Sequence, residues 1–354
     1  MHDLIEIGFN GFFQTQLNSG DAIPARIAAE HRGGYEVWSQ RGEGLAKLSG
    51  RFSHENGDLS PGVGDWVLLR AHPASGTTTV IEGLLERRTV FTRGAAGRQS
   101  VGQVVAANVD VVFAVCGLDG DYNIRRIERY LARIWASGAQ PVVVLNKADI
   151  CEDVGGYVAE VEVSSMGVPV ITTSAMEGTG LEAIWAHLGP GLTAAFVGSS
   201  GAGKSTLINA LLGREHMATG AVREDDSKGR HTTTHRQLIT LPGGGLLVDT
   251  PGMRELQLFD EDGIDSVFAD IEELASRCRF NDCGHTGEPG CAVLEAVDEG
   301  GLDPDRLEHF HKLKDEAGSY ALRQDERLRR KVDKSFGKML KRDGKLISRL
   351  KGGK

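Results

Sequence analysis

Residues 198–205 constrain the fold of this 354-residue chain more than any other stretch. They read G-S-S-G-A-G-K-S and fit the pattern G-x-x-x-x-G-K-[ST] at every fixed position. An apolar run, residues 194–197, precedes them and a helix-like run, residues 206–212, follows them. This is the strand, loop and helix in which backbone N–H groups and the helix N-terminus surround phosphate oxygens. The sequence therefore predicts a nucleoside triphosphate site.

Each position of this loop has an expected role. Lys204 is predicted to reach the β- and γ-phosphates, and Ser205 to bind Mg²⁺. The other predicted nucleotide contacts of the loop are Gly198, Ser199, Ser200, Gly201, Ala202, Gly203 and Thr206. The alternative is a glycine-rich turn between a strand and a helix that holds a lysine by chance.

A second motif indicates which base is bound. Residues 146–149 read N-K-A-D and follow the apolar run 141–145, at a strand end where α/β sheets bind ligands. The Asp149 carboxylate can accept from both donors of the guanine edge, a pair that adenine does not offer. Lys147 is expected to lie along the base plane, and Asn146 to connect this loop to its neighbours. The predicted loop against guanine O6 is Thr173, Ser174 and Ala175.

Two further segments resemble GTPase switches. Residues 228–234 read K-G-R-H-T-T-T, and Thr233 is the predicted threonine that senses Mg²⁺ and γ-phosphate. Asp249 and Gly252 form D-x-x-G after an apolar run, with Asp249 expected to hold Mg²⁺ through water and the Gly252 N–H to contact γ-phosphate. The base motifs precede the phosphate loop, so the GTPase domain is predicted to be circularly permuted.

The remaining sequence predicts a multidomain chain. Five short strand-like runs with turn signals between them indicate an OB-like β-barrel before the central α/β P-loop GTPase domain. Arg26, with Tyr35, Trp38 and Trp66, is a candidate for nucleic-acid contact, as are Arg41, Lys47, Arg51 and Arg70; the alternative is that the tryptophans fill the core. The expected segments are a leader at 1–21, the barrel at 22–87, a linker at 88–107, the GTPase domain at 108–262, a mostly helical zinc-binding domain at 263–318 and a basic helical tail at 319–354.

The third predicted domain contains a metal motif. Cys278, Cys283, His285 and Cys291 have the spacing C-x4-C-x-H-x5-C. Three thiols and one imidazole within 14 residues match a closed tetrahedral structural Zn²⁺ site. The alternative is a set of unpaired buried cysteines beside a chance histidine.

Charge and composition bear on partners. The formal net charge is −9, yet the stretch from residue 321 to the end is strongly basic. Such a tail favours an anionic partner, with nucleic acid as the leading candidate and a solvated charged helix as the alternative. No secretion signal and no apolar run of about 18 residues is visible. We therefore expect a cytoplasmic monomer that contacts no membrane.

Taken together, these motifs resemble the bacterial small-ribosomal-subunit-dependent GTPases, a circularly permuted family. The resemblance covers nearly the whole chain and depends most on residues 229–234, residues 249–255 and the zinc spacing. It implies weak GTP hydrolysis that the small (30S) subunit stimulates, binding to 16S rRNA, a role in late subunit maturation, and release after hydrolysis.

The water-orienting residue is not given by the motifs. Many GTPases place a glutamine directly after D-x-x-G, where this chain has Met253. His231 in the first switch is the candidate catalytic residue, because an imidazole can orient water or offset developing charge. The alternative is a solvent-exposed structural His231. A P-loop ATPase or kinase, and a non-catalytic nucleotide-gated RNA-binding module, are the competing functions.

Overall fold

The computed structural model describes residues 2–17, 23–52, 60–73, 77–93, 103–165, 167–213, 236–249 and 262–319. Near the N-terminus, helix α1 (Gly11–Gln14) begins after Asn10, whose side chain accepts from the Phe12 N–H. Phe9 and Phe13 are buried, with ring centroids 4.8 and 5.7 Å from that of Trp66. The described part of the expected leader therefore packs on the core, because its apolar side chains are buried there.

Five strands form the predicted barrel. They are β1 (Ile23–His31), β2 (Gly34–Ser39), β3 (Gly42–Leu48), β4 (Trp66–Leu69) and β5 (Thr78–Leu84). Their order is β1-β2-β3-β5-β4, and β4 pairs back with β1, which closes the sheet on itself. All pairs are antiparallel except β3 with β5. The five-stranded barrel is confirmed.

Arg26 is a structural residue of the barrel, and its predicted role in nucleic-acid contact is wrong. Its guanidinium is 1% exposed and donates to three carbonyl oxygens, those of Ile7 at 2.6 Å, Asn108 at 3.0 Å and Gly64 at 3.2 Å. Burial lowers the pKa of Arg26 to about 10. The side chain thus joins the N-terminal segment, the barrel and the following domain. Trp66 beside it is fully buried, as the core-filling alternative expected.

Residues 88–107 contain a folded ribbon where a linker was expected. Strands β6 (Val90–Arg93) and β7 (Gln103–Ala107) pair antiparallel. Val105, Ala106 and Ala107 of β7 are buried, and a Cβ on Gly64 would lie 2.1 Å from the Ala107 carbonyl oxygen. This close approach, at a Gly64 φ of +91°, packs β7 directly against the barrel.

The central sheet has the arrangement of a nucleotide-binding α/β domain. Its strands are β8 (Val111–Gly117), β9 (Gln140–Asn146), β10 (Val170–Thr173), β11 (Thr193–Gly198), β12 (Gln237–Thr240) and β13 (Leu246–Asp249). Their order is β10-β9-β8-β11-β13-β12, parallel except for β12. Every residue of β8 and β11 is buried, as expected for parallel strands covered on both faces. At its edge, β12 pairs with β1 of the barrel through Gln237 and Ala29.

Helices cover both faces of this sheet. They are α2 (Ile124–Ala136), α3 (Val154–Ser164), α4 (Leu181–Trp185) and α5 (Lys204–Leu212). On one face, Ile184 of α4 and Leu207 of α5 share a core with Phe113 of β8. On the other face, Leu131 of α2 and Val161 of α3 form a second core. Successive side chains of β8 point to opposite faces of the sheet, so this strand contributes residues to both cores.

The C-terminal part is helical, as predicted, and shares the core of α2. It comprises α6 (Asp262–Val267), α7 (Ala269–Ala275), α8 (Ala292–Asp298) and α9 at residues 304–319. Phe268, Ile271 and Phe310 pack in the same cluster as Leu131. A Cβ on Gly263 would lie 1.8 Å from the Ala132 carbonyl oxygen, so α6 and α2 meet almost backbone to backbone. The basic tail from residue 320 onward lies outside the described residues.

Candidate functional site

The phosphate loop joins β11 to α5, and its glycines are required by sterics. Gly198, Gly201 and Gly203 have φ of +148°, +88° and +95°. A Cβ on Gly198 would lie 2.2 Å from the Val115 carbonyl oxygen, and one on Gly203 would lie 2.1 Å from Asn146 Nδ2. Side chains at these two positions would displace the neighbouring strand ends. The tight loop therefore depends on glycine at both positions.

Lys204 begins α5 and points back into the loop. The side chain is 8% exposed, and Nζ donates to the Gly198 carbonyl oxygen at 2.8 Å and to that of Ser199. The ammonium group is thus held against the backbone of the loop. Ser205 and Thr206 are half-buried on the first turn of the same helix, next to Lys204.

Asn146 connects the base loop to its neighbours, as the sequence predicted. It is 1% exposed, and its Nδ2 donates to the Ala202 carbonyl oxygen at 2.9 Å. Its Oδ1 accepts from Thr173 Oγ1 at 3.0 Å and from the Ala175 N–H at 3.1 Å. One buried side chain therefore joins the two proposed base loops and the phosphate loop.

The other residues of the base loop stand at the surface beside it. Lys147 has a left-handed φ of +67°, and its ammonium group pairs with Asp119. Asp149 is exposed within the short 3-10 helix Ala148–Ile150. In the other proposed base loop, at residues 173–175, Ser174 is buried and its Oγ accepts from the Glu177 N–H at 3.2 Å. An exposed carboxylate next to the buried Asn146 is available to a ligand.

Sequence reasoning missed the loop between β8 and α2. Asp121 accepts from Ser199 Oγ of the phosphate loop and from Arg126 of α2. Asp119 pairs with Lys147. Burial acts to raise the pKa of Asp119, but the hydrogen bonds from Lys147 and from backbone N–H groups, together with the charge of Lys147, hold this pKa below its ordinary value. Two aspartates directly after a parallel strand, at the sheet edge that binds ligands, were the signal available in the sequence.

The switch residues are described only in part. Asp249 ends β13, is 5% exposed and pairs in register with Gln237 of β12. Strand β13 lies next to β11, which leads into the phosphate loop. His231, Thr233 and Gly252 lie outside the described residues, so their roles stay predictions.

The four predicted metal ligands converge. His285 Nδ1 lies 3.4 Å from Cys291 Sγ and 3.7 Å from Cys278 Sγ, and these two sulfurs are 3.9 Å apart. With Cys283, all four ligand atoms lie within 4.8 Å of one another. Zn–S bonds of about 2.3 Å place the sulfurs of a tetrahedral site about 3.8 Å apart. The cluster therefore has the dimensions of a site for one Zn²⁺.

A carboxylate supports the loop that carries these ligands. The side chain of Glu288 accepts from the backbone N–H groups of Gly284 at 2.9 Å, Thr286 at 2.8 Å and Gly287 at 3.1 Å. These hydrogen bonds lower the pKa of Glu288 to about 2. Glu288 thus holds the backbone on both sides of His285.

Known proteins share this combination of parts. A sequence model of the family described as "RsgA GTPase" matches residues 84–259. The "Small ribosomal subunit biogenesis GTPase RsgA" of Opitutus terrae is 49% identical over 336 residues, which cover 91% of this chain and 92% of that protein. The chain belongs to the RsgA GTPase family. Within that family, the "Small ribosomal subunit biogenesis GTPase RsgA 2" of Lactiplantibacillus plantarum is 45% identical over 338 residues, 95% of each chain.

Solved structures agree with this membership in the RsgA family. YjeQ from Thermotoga maritima superposes with a TM-score of 0.63 at 29% identity, over 84% of this chain and 98% of YjeQ. YloQ, described as a circularly permuted GTPase, superposes with a TM-score of 0.61 at 25% identity, over 84% of this chain and 96% of YloQ. The permuted order predicted from the sequence is therefore confirmed. Among the described residues, no helix combines the length and apolarity needed to span a bilayer.

Proposed function

We propose that this protein is a GTPase that binds the small (30S) ribosomal subunit and couples GTP hydrolysis to late subunit maturation and to its own release. The names of its RsgA relatives support the small subunit as partner. The observation that carries GTP binding is the contact of Asn146 with the carbonyl oxygen of Ala202, which joins an N-K-x-D loop to a phosphate loop.

GTP is held at both ends in this proposal. Asp149 accepts from the guanine edge, Lys147 lies along the base, and the backbone of residues 173–175 faces O6. The amides of residues 198–206 surround the phosphates, with Lys204 at the β- and γ-phosphates and the Gly252 N–H at the γ-phosphate. A polar site that would be left unpaired by adenine discriminates strongly in favour of guanine.

A Mg²⁺ ion accompanies GTP. The proposed ligands are Ser205, Thr233 and, through water, Asp249. When bound, the ion neutralises charge that develops on the phosphate oxygens. The carboxylate of Asp249, a 5% exposed residue at the end of β13, and the hydroxyl of the half-buried Ser205 suit a hard cation, which prefers oxygen ligands.

His231 is the proposed catalytic residue, since Met253 cannot orient water by a hydrogen bond. Its imidazole would hold the attacking water or offset charge as the bond to the leaving phosphate oxygen breaks. Stimulation by the small subunit would follow if binding to that partner brings His231 to the nucleotide. A structural His231 remains the alternative.

The other parts of the chain serve binding and stability. One Zn²⁺ on Cys278, Cys283, His285 and Cys291 is proposed as a structural ion, since four protein ligands leave no open position. The basic tail at 319–354 and the barrel are proposed to contact 16S rRNA, because a basic tail on an acidic chain favours an anionic partner. The protein is proposed to act as a cytoplasmic monomer, with no membrane contact.

One experiment separates this function from its competitors. Phosphate release is measured with GTP and with ATP, each with and without purified 30S subunits. The expected result is turnover of GTP but not of ATP, and a many-fold higher rate with GTP when 30S subunits are present. Equal use of ATP would indicate an ATPase or kinase, and nucleotide-dependent 30S binding without turnover would indicate a non-catalytic RNA-binding module.

A further inference from the structure

The loop at residues 118–122 connects two separate parts of the nucleotide site. At one end, Asp119 Oδ2 accepts from Lys147 Nζ of the base loop. Two residues later, Asp121 Oδ2 accepts from Ser199 Oγ of the phosphate loop. Neither aspartate belongs to a GTPase motif, yet each accepts a hydrogen bond from the side chain of a residue in such a motif.

This loop is itself fixed in place. The Leu118 N–H donates to the Asn146 carbonyl oxygen at 2.7 Å, and Leu118 is 4% exposed. The Asp121 N–H donates to Asp119 Oδ1 at 3.1 Å, so the first aspartate also orders the backbone of the second. Arg126 Nη1 donates to Asp121 Oδ1 at 2.5 Å and to the Asp121 carbonyl oxygen at 3.4 Å, which attaches the loop to α2.

Two carboxylates beside a site for a polyanion need an explanation, because like charges repel. Each carboxylate here has a cation partner: Lys147 for Asp119 and Arg126 for Asp121. Pairing offsets the repulsion and leaves the carboxylates able to orient their neighbours. Lys147, with a left-handed backbone and a long side chain, is the residue that gains most from such a restraint.

We propose that Asp119 and Asp121 are positioning residues for the nucleotide: Asp119 orients Lys147 along the guanine, and Asp121 holds the phosphate loop through Ser199. This inference rests on the proposed function, because it takes residues 146–149 and 198–205 to be the GTP site. The two aspartates touch no nucleotide atom in this scheme. They act through the side chains that do, and through the loop that carries them.

The test measures dissociation constants for GTP, GDP and ATP by competition with a fluorescent GDP analogue, using the full chain. Asp119→Asn is expected to raise the constants for GTP and GDP by a similar factor, about 1.5-fold to fivefold, which is the range for one partly exposed charged contact. Asp119→Glu keeps the carboxylate and is expected to recover part of the loss.

Double variants distinguish positioning from general damage to the fold. If Asp119 acts through Lys147, then Asp119→Asn has no further effect in a Lys147→Ala background. The same holds for Asp121→Asn in a Ser199→Ala background. Ser199→Ala removes no charge, so this second cycle carries the test even if Asp119→Asn does not fold. Glu160→Gln is the matched control, since Glu160 accepts from Tyr122 at the far end of the same loop.

The outcomes are separable. Additive losses in both cycles, or an Asp119→Asn constant for GTP within error of wild type, would overturn the positioning role while GTP binding stands. Equal affinity of the wild-type protein for GTP and ATP would overturn the proposed function and the guanine role of Asp119 with it. Non-additive losses of affinity in the two cycles, with wild-type dissociation constants for Glu160→Gln, would support the positioning role and the proposed GTP site.

Discussion

The side-chain amide of Asn146 donates to the carbonyl oxygen of Ala202 across 2.9 Å, although 56 positions separate the two residues. The contact joins the loop after β9 to the loop after β11, and β8 lies between these strands. Because Asn146 also accepts from Thr173 and Ala175, its small amide spans three loops. The closeness of Gly203, where a Cβ would contact Asn146 Nδ2, makes the two loops complementary in shape as well.

Asn146→Ala is expected to weaken GTP binding strongly. It removes three hydrogen bonds of a buried side chain, and a buried group left unpaired costs about 1–3 kcal/mol. We expect the dissociation constant for GTP to rise by about 10- to 100-fold in a fluorescence titration. Asn108→Ala is the matched control, since Asn108 is buried and donates to Gly64 in the barrel. Equal GTP affinity of the two variants would contradict the prediction.

Cys291→Ser is expected to remove the zinc. Cys291 is 2% exposed and lies in the core that α2 shares with α7, α8 and α9. Elemental analysis should find about one zinc per wild-type chain and almost none in the variant, with a lower melting temperature because the metal contributes folding energy. Cys151→Ser, at a half-buried cysteine outside the cluster, should keep its zinc. Full zinc content in Cys291→Ser would refute this site.

Glu288→Gln is expected to speed the loss of zinc to a chelator at pH 7. The ionised carboxylate holds three backbone N–H groups around His285, and the amide of Gln accepts less strongly. The pKa of Glu288 is lowered to about 2 from 4.5, so its contribution is complete above pH 4.5 and is lost only as the pH falls from there through 2. The effect should thus be constant between pH 6 and 8. Glu295→Gln, on the exposed side of α8, should release zinc at the wild-type rate.

Glu128→Ala is expected to destabilise the fold strongly. Glu128 is fully buried on α2 and accepts from Arg306 Nη1 at 2.7 Å, while His309 Nδ1 lies 2.7 Å from its other oxygen. Removing one partner of a buried ion pair costs about 3–5 kcal/mol. Denaturant unfolding should show this loss in the free energy of unfolding. Asp265→Asn, in an exposed pair with Lys314, should change it by less than about 1 kcal/mol.

His231→Ala is expected to abolish most of the stimulation of GTP hydrolysis by 30S subunits while leaving GTP affinity unchanged. A positioned acid–base group contributes about 10²- to 10⁴-fold to a rate. Single-turnover hydrolysis with saturating 30S subunits is the measurement, with His187→Ala as a control outside the switches. A 30S-stimulated rate in His231→Ala within a few-fold of the wild-type rate would show that His231 is not the catalytic residue.

Much of the architecture was predictable from short-range patterns. Apolar runs of six, five and four residues, at 111–116, 141–145 and 194–197, indicated the parallel strands β8, β9 and β11, because strands covered on both faces need few polar positions. Motifs at the ends of these strands indicated the nucleotide site and the permuted order. The spacing of three cysteines and a histidine indicated the metal cluster, because nearby ligands need only a tight turn to meet.

Contacts between distant segments were decided by tertiary structure alone. A buried arginine is rare, so Arg26 looked like a surface residue, and only the convergence of the carbonyls of Ile7, Gly64 and Asn108 makes its burial affordable. The described residues of the leader and of the expected linker pack on the core for a similar reason: their apolar side chains find partners in segments far along the chain. Local pattern carries no information about such partners.

Asp119 and Asp121 after β8 show, within the nucleotide site, the same difference between local motifs and contacts of distant segments. The sequence by itself determined a phosphate loop, a guanine motif and a metal motif, since each is recognised by residues close in the chain. The pairing of Asp119 with Lys147 and of Asp121 with Ser199 depends on which strand ends the sheet brings side by side. Sheet order is set by the packing of all strands and helices together, so these contacts became visible only in the folded chain.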